Sequence, residues 1–143
     1  MANKKIVESL MALGIEGWVL ENDVVVDDET KFNANFKRVN GEDSNGTATY
    51  SNDPNDFGVT WKQVSDAFAD GGLVSLNILR KQRNALLAES DWTQTSDNAL
   101  SSDKKTEWET YRQALRDLPS SASPKLSDDG LSISNVTFPT KPS

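Results

Sequence analysis

Three segments of the N-terminal half carry apolar residues every three or four positions, the spacing of one helical face. The first helix is capped by Asn3, the second begins at Asp27 or Asp28 and ends at Gly41, and the third follows Thr60 as N-cap. The three apolar stripes consist of Ile6, Leu10 and Leu13; of Phe32, Phe36 and Val39; and of Trp61, Val64 and Phe68.

Two short runs between the first two helices are rich in β-forming residues. Gly17–Leu20 and Val24–Val26 are separated by Glu21–Asp23, a polar triplet that predicts a hairpin turn between two strands. Farther along, Thr47–Tyr50 is the one strand-like run in a stretch of turn residues. Asp70–Gly72 then breaks the third helix and predicts a boundary between two modules.

Residues 79–118 predict two amphipathic helices joined by a polar loop. Leu79, Leu86 and Leu87 lie in the first helix, which Asp91 and Trp92 close. The second helix carries apolar residues on one face, namely Trp108, Tyr111, Leu115 and Leu118. Each stripe needs an apolar partner, so the two helices are expected to pack as an αα-hairpin.

After Pro119 the chain is rich in proline and serine, a composition that does not form a core by itself. Residues 131–138 nevertheless alternate apolar and polar side chains, as in a strand. The apolar members are Leu131, Ile133, Val136 and Phe138. Because no other strand is predicted nearby in the sequence, this segment is expected to pair with the N-terminal sheet or with another chain. It is also expected to stay mobile until a partner covers it.

These patterns predict an α+β protein in three parts: an acidic α+β module at 1–72, a helical hairpin at 73–118 and an extended arm at 119–143. The hydrophobic content of 36% and the mean hydropathy of −0.59 restrict the core to part of the chain. No apolar run reaches the length of about 18 residues that a membrane span requires, so no membrane contact is expected.

The net charge of −7 belongs entirely to the N-terminal half. Residues 1–72 contain 6 Lys and Arg against 13 Asp and Glu, whereas residues 73–143 contain 9 of each sign. A surface of that sign repels phosphate backbones, so no nucleic-acid partner is expected. The basic residues of the predicted hairpin are interleaved with acids, and Arg112 is expected to pair with Glu107 or Glu109 along its own helix.

The chain contains neither histidine nor cysteine. It therefore lacks the commonest general base, the commonest metal ligand and every thiolate site. The oxygen-rich segments Asn40–Gly46 and Asp53–Asp56 do not have the ligand spacing of a calcium loop, and turn chemistry explains them. The paired carboxylates Asp27–Asp28 and Asp128–Asp129 point to different sides. We predict no catalytic residue, no metal site, no cofactor and no enzymatic activity.

Two motifs of the predicted hairpin resemble a known family. R-x-x-R-N-x-L-L-x-x-S-D-W occupies positions 80–92, and W-x-x-Y-R-Q-A-L-R-D-L-P occupies positions 108–119. They are similar to the C-terminal module of bacteriophage tail and tail-fibre assembly chaperones. The resemblance covers residues 79–143 and implies a protein that helps tail or fibre components to fold and assemble.

Short phrases of the N-terminal module resemble small structural proteins of cyanobacterial phages, and the closing Phe138–Pro142 resembles the end of cyanophage relatives of the C-terminal module. The N-terminal phrases are Gly17–Leu20, Phe32-Asn33, Gly46–Ala48, Asp53-Pro54 and Val59–Trp61. These resemblances imply a phage origin for both halves.

A virion or tail-associated assembly protein that acts through protein contacts is the favoured function. The protein is either a transient chaperone that leaves the assembled particle or a structural component that stays in it. It is located in the virion or in the host cytoplasm during assembly. Its expected partners are phage tail, tail-fibre or other virion proteins, with oligomers in the assembly. The alternative, drawn from the N-terminal charge, is an acidic inhibitor or DNA mimic that acts on a host protein.

Five apolar residues are predicted to bind the partner: Trp92, Leu131, Ile133, Val136 and Phe138. Trp92 has two interpretations. An exposed tryptophan is a frequent anchor of protein interfaces, whereas a tryptophan beside a loop frequently plugs the end of a helix pair.

Overall fold

The computed structural model describes residues 3–21 and 23–143, and it confirms the predicted α+β class. The helices are α1 (Lys4–Ala12), α2 (Glu29–Asn35), α3 (Trp61–Phe68), α4 (Leu73–Glu89) and α5 (Ser102–Ser121), with 3-10 turns at Pro54–Asp56 and Asp91–Gln94. The strands are β1 (Trp18–Leu20), β2 (Phe36–Glu42), β3 (Ala48–Ser51), β4 (Lys125–Leu126) and β5 (Ile133–Ser134). Strands β1, β2 and β3 form one antiparallel sheet in that order, and β4 pairs with β5 in a second.

Three phenylalanine rings form the centre of the N-terminal core. Phe32, Phe36 and Phe57 are fully buried, and the Phe36 ring centroid lies 4.8 Å from each of the other two. Leu10 of α1 and Val64 of α3 pack into the same cluster. Helix α3 begins as predicted, with the Thr60 side chain and Gln63 forming a reciprocal capping box. The sheet and the first three helices therefore share one apolar interior.

The predicted pairing of Gly17–Leu20 with Val24–Val26 is wrong. Strand β1 pairs with β2 instead, and Asn22 of the predicted turn lies outside the described residues. The side chain of Asn3 explains the difference, because it binds the backbone of Val24–Val26 and does not cap α1. Its Nδ2 donates to the Val24 carbonyl at 2.9 Å and its Oδ1 accepts from the Val26 amide at 3.0 Å. These backbone groups are thereby satisfied without a strand partner.

The second helix is shorter than predicted. Asp28 caps α2 by accepting from the Lys31 amide, but the helix ends at Asn35, and Phe36 already has extended backbone angles. The predicted end at Gly41 is wrong, since residues 36–42 form β2. Phe36 reaches the core from a strand as well as it would from a helix, so its spacing from Phe32 does not distinguish the two structures.

The predicted break at Asp70–Gly72 is a tight reversal that sends α4 back against α1 and α3. Gly71 has a φ of +70°, and a Cβ on Gly72 would lie 2.3 Å from the Asp66 carbonyl oxygen, so a side chain does not fit there. Val74 of α4 then packs with Ala67 in a second cluster. The division of the chain into modules at this point stays a prediction.

Helix α5 runs past the predicted end at Leu118 and includes Pro119 in its last turn. Proline lacks the amide that would bond to the carbonyl four residues earlier, which is costly in the middle of a helix. Here the helix ends two residues later, at Ser121, and the Ala122 amide donates to the Leu118 carbonyl at 3.0 Å. Only the closing turn is affected, so the helix tolerates the proline.

The arm packs on its own chain. The expected pairing with the N-terminal sheet is wrong, and pairing with a partner stays a prediction. Only Ile133–Ser134 of the predicted strand is β structure, and it pairs with Lys125–Leu126 of the arm itself. Buried Leu126 joins the Ala67 and Val74 cluster, which covers the arm without a second protein.

The turn of the arm reaches the first helix. Lys5 lies 3.7 Å from the Asp128 carboxylate, and Gly130 packs so closely that an added Cβ would lie 2.9 Å from the Glu8 side chain. The arm thereby contacts α1 as well as α4. Within the two described ranges, no helix combines the length and apolar character that crossing a membrane demands.

Candidate functional site

The C-terminal half is built around the predicted helical hairpin. Three side chains of α5 are buried in one cluster, and Leu86 and Leu87 of α4 pack against it. The three are Trp108, Tyr111 and Leu115. Leu79 is fully buried and Leu118 is half-buried. The central residues of the two predicted stripes therefore pack against each other, as the αα-hairpin requires.

Trp92 lies at the end of this hairpin, as its structural interpretation predicts, and its role as an interface anchor stays a prediction. Its ring meets Trp108 edge-on with centroids 5.8 Å apart, and Trp108 meets Tyr111 in the same way at 5.7 Å. Half of the Trp92 side chain nevertheless remains exposed. It closes the end of the cluster and also presents an indole surface to solvent.

Arg112 fixes the turn that carries Trp92. Its Nη1 donates to the Leu87 carbonyl at 2.8 Å and to Ser90 Oγ at 2.6 Å, and its Nη2 lies 2.9 Å from the Asp91 carboxylate. The predicted pairing with Glu107 or Glu109 is wrong, because Arg112 points inward and is 8% exposed. A buried guanidinium needs such acceptors to offset its lost hydration.

The sequence contained a signal for this role. Arg112 lies one residue after Tyr111 and three before Leu115, inside the apolar stripe, where a solvated arginine is not expected. The end of the first predicted helix, Ser90-Asp91, supplies a hydroxyl and a carboxylate at the required distance along the hairpin.

The predicted partner-binding residues do not form one surface. Phe138 packs on the same cluster that Trp92 covers, whereas Ile133 packs on the Ala67 and Val74 cluster. Leu131 is 60% exposed at the turn of the arm, and Val136 is half-buried. The structure thus brings Trp92 and Phe138 to one cluster and places Leu131 and Ile133 elsewhere.

A groove of about 680 Å³ lies between α5 and the last residues of the arm. One wall is formed by Thr106, Glu107, Thr110, Tyr111 and Ala114, and the other by residues 139–143. Burial raises the pKa of Tyr111, and the charge of Glu89 adds to the effect, so this phenol stays neutral and able to donate. Apolar walls with scattered hydroxyls suit a peptide segment. No pattern in the sequence predicts the groove, because it forms only where the arm folds back along α5.

Nothing in the described ranges forms a metal centre. No group of three or more acidic side chains converges there to hold an ion. Asp43 and Asp53 instead accept bonds from backbone amides of their own turns, at 2.8 and 2.9 Å. These are the Asx turns expected from the sequence.

Comparison with known proteins relates one segment of the chain to a family. No curated protein and no solved structure matches the chain significantly. The matching family is described as "Phage tail assembly chaperone protein", and the matched segment begins within α4 and includes α5 and the arm. Residues 76–143 are thus similar to the phage tail assembly chaperone family, as their motifs had suggested.

Proposed function

We propose that the protein assists phage tail assembly by binding tail, tail-fibre or other virion proteins through its C-terminal half. The observation that carries the proposal is the family match over residues 76–143. It supports action in the host cytoplasm during assembly, without catalysis. Whether the protein then leaves or stays in the virion is a question for experiment.

The half-exposed Trp92 indole is the proposed anchor. Interface hot spots are enriched in tryptophan, since its large apolar area is gained at little cost in side-chain entropy. The Arg112 contacts to Leu87, Ser90 and Asp91 hold the turn in place before any partner arrives. A preorganised anchor loses less conformational freedom on binding.

The groove beside α5 is the proposed second contact. It lies along the helix that carries Trp108, and an extended segment of a partner could lie between Ala114 and Pro139. For the arm residues Leu131, Ile133, Val136 and Phe138, partner binding stays a prediction, and burial supports different parts for them. Phe138 and Ile133 support the fold, and exposed Leu131 is the member best placed to meet a partner.

Binding to the tail and tail-fibre proteins encoded by the same phage tests this proposal. We expect the full chain to co-purify with at least one of them, and Trp92→Ala to weaken the affinity by about tenfold or more, as loss of a hot-spot residue does. Val25→Ala is the matched control, because Val25 is 57% exposed and lies outside the matched segment. Equal affinity of both variants would contradict the role of Trp92.

Mass spectrometry of purified virions separates the two forms of the proposal. Stoichiometric presence in the particle identifies a component that stays. Absence from the particle, combined with binding to a tail protein in lysate, identifies a chaperone. Binding to a host enzyme and to no phage protein would instead support the acidic-inhibitor alternative.

A further inference from the structure

Residues 136–143, called the tail here, are buried with a period of three. Every third residue from position 133 onward is half-buried, namely Ile133, Val136, Pro139 and Pro142, and Phe138 is the one further half-buried residue there. Three residues per turn is the repeat of the polyproline II helix, whereas side chains of a strand repeat every two residues. The tail therefore packs as an extended segment with one covered side, and it is not a strand.

The sequence of the tail favours this extended form before any contact is made. Proline fixes φ at about −65°, and it restricts the residue before it to extended backbone angles. Pro139 and Pro142 therefore limit the backbone of Phe138 and Lys141 as well as their own. A segment that is already extended loses little conformational entropy when it binds a surface.

One apolar contact and one ion pair hold the tail on the helical hairpin. Phe138 packs on the hairpin cluster, and the Lys141 ammonium lies 3.7 Å from the Glu89 carboxylate. Both charged side chains are more than half exposed, so this pair adds little stability. No residue of the tail forms a hydrogen bond with another described residue. Phe138 is therefore the main anchor of the tail.

A hinge precedes the tail at Asn135. Within the described ranges it is the one residue other than glycine with a positive φ, 62°, an angle that asparagine tolerates better than most residues. Its Nδ2 donates to the Ser123 carbonyl at 3.2 Å, directly after β5. The tail can therefore move away from α5 about Asn135 without breaking a strand pair or a hydrogen bond.

The tail leaves the surface beside it incompletely satisfied. The groove of about 680 Å³ remains open between residues 139–143 and α5. Its α5 wall is largely apolar, because Thr106 and Thr110 donate their hydroxyls to carbonyls of their own helix at 3.1 and 2.9 Å. Tyr111 lines the groove and is 5% exposed, yet its hydroxyl has no hydrogen-bond partner among the described residues. A buried tyrosine usually has one, so the groove offers a donor that the tail does not use.

The tail itself shows which chemistry this surface accepts. It presents an aromatic residue, a proline directly after it and a second proline three residues later, with a lysine facing Glu89. Another segment with this pattern can make the same contacts, and it breaks no hydrogen bond when it takes the place of the tail. Because it is not tied to β5, it can also bring a backbone carbonyl to the Tyr111 hydroxyl.

We infer that the tail is a built-in ligand of the hairpin, and that a partner segment with the pattern aromatic-Pro-x-x-Pro displaces it. The inference rests on the proposed function, because the surface lies on the same helix, and it adds the chemistry of the partner segment and a competitor for it. A tethered tail competes at an effective concentration of roughly millimolar. The partner segment therefore binds more tightly once the tail is loosened.

Peptide binding to the full-length protein tests the inference. The probe is an acetylated peptide with the sequence of residues 136–143, and the comparison peptide has alanine in place of the phenylalanine and both prolines. Phe138→Ala removes the main anchor of the tail, so this variant should bind the probe about tenfold more tightly than the wild type does. Thr137→Ala, at the exposed neighbouring position, is the matched control and should bind like the wild type. None of these proteins should bind the comparison peptide.

Backbone amide NMR shows whether the probe replaces the tail. Shifts are expected at residues 106–114 of α5, and the signals of the protein's own residues 136–143 should move toward those of a free peptide. Binding elsewhere on the surface would not release the tail. Lys141→Glu provides a second way to loosen it, since Glu89 then repels the tail, and should raise the affinity for the probe to a smaller extent. Lys125→Glu, at an exposed lysine of β4, is its control.

A third peptide separates a partner segment from a second copy of the chain. It keeps the phenylalanine, the lysine and both prolines of the probe and has serine elsewhere. It should bind as the probe does, because the inference assigns recognition to the pattern. Loss of its binding, or a doubled mass of the wild-type protein in sedimentation, would make the tail of a second copy the occupant and overturn the inference.

Three further results would contradict the displacement of the tail. They are equal affinity of the wild type and both loosened variants for the probe, binding that leaves the tail signals unchanged, and no binding to either loosened variant at millimolar probe. The experiment contains no phage tail protein. Failure here therefore leaves co-purification with tail proteins as a separate test of the proposed function, and failure of co-purification does not alter the peptide result.

Discussion

The N-terminal core and the C-terminal hairpin bury their apolar residues in different ways. The N-terminal cluster holds nine buried apolar residues centred on three phenylalanine rings in contact, and no charged residue is part of it. The hairpin cluster holds three, with Arg112 buried beside them, and half-exposed Trp92 and half-buried Phe138 cover it. The first interior is closed by its own elements. The second is completed by a turn and an arm, which leaves apolar surface at its rim.

This difference supports our proposal that stability and partner binding reside in different parts of the molecule. A core with fully buried aromatic residues tolerates little change, since interiors are packed as closely as crystals. A small cluster covered by partly exposed side chains leaves apolar surface that a partner protein can contact. The family match falls on this second region.

The largest expected effect is the loss of a ring from the N-terminal core. Phe36→Ala should lower the free energy of unfolding by about 3–5 kcal/mol, because Phe36 is fully buried, stacks on Phe32 and meets Phe57 edge to face. Urea denaturation followed by circular dichroism measures it. Val25→Ala, at an exposed site, should stay within about 0.5 kcal/mol of wild type. A loss below about 1 kcal/mol for Phe36→Ala would contradict the dominant role of this core.

Leu115→Ala should cost about 2–4 kcal/mol, since this leucine is fully buried between the two helices of the hairpin. Hydrogen exchange sharpens the comparison. In the Leu115→Ala variant, backbone amides of α5 should exchange faster than those of α1–α3, because separate opening of the hairpin exposes α5 alone. Equal loss of protection in both regions would erase the distinction between them.

Arg112→Met should cost about 1–3 kcal/mol, because the Ser90 hydroxyl oxygen loses the guanidinium donor and the Leu87 carbonyl keeps only its bonds from Ser90. Arg112→Lys should not restore the loss, since an ammonium cannot reproduce the planar fork that reaches the carbonyl, the hydroxyl and Asp91 together. Arg116→Met is the control on the exposed side of the same helix. Thermal unfolding of the three variants measures the difference, and full rescue by lysine would show that charge alone matters.

Phe138→Ala should cost less, about 1–2 kcal/mol, because Phe138 is only half-buried, whereas a fully buried phenylalanine costs more. The substitution should loosen the arm on α5 and expose Tyr111. Near-ultraviolet circular dichroism of the aromatic cluster reports this change. An unchanged spectrum would mean that the arm contributes nothing to the hairpin.

The smallest effect concerns a surface ion pair. The hydrogen bond from Lys31 lowers the pKa of Asp27, and the charge of Lys31 adds to the shift. A carboxyl whose pKa is lowered in the folded state stabilises the protein above its unfolded pKa, and the contribution disappears as the pH falls through the folded pKa. The relevant range lies below about pH 4, where an unperturbed aspartate titrates. Lys31→Met should raise the pKa of Asp27 in an NMR titration, and an unchanged pKa would refute the pairing.

The sequence predicted elements that local chemistry alone specifies. Thr60 and Gln63 define the start of α3 by a capping box, and the stripes around Trp108 define the hairpin before any packing is known. The resemblance of residues 79–143 to tail assembly chaperones was likewise confirmed by the family match. The resemblance of the N-terminal half to cyanophage proteins stays a prediction.

The errors arose where long-range contacts override local pattern. Val24–Val26 has the composition of a strand, but the Asn3 side chain forms hydrogen bonds with the Val24 carbonyl and the Val26 amide. Phe36 fits a helical stripe, yet it packs from β2. Arg112 has acids nearby in its own helix, but its guanidinium turns to the other helix of the hairpin. The five predicted partner-binding residues remain untested as a binding site.

The contact between the arm and α1 has a consequence for the order of folding. Lys5 and Glu8 belong to the first helix, whereas Asp128 and Gly130 belong to the segment synthesised more than a hundred residues later. Contacts so far apart in sequence form late, because a long loop must close before they are made. Helix α1 can dock on α3 while the ribosome is still translating, but its outer side is sealed only after the arm has emerged. Synthesis of the arm is therefore the step that completes this face.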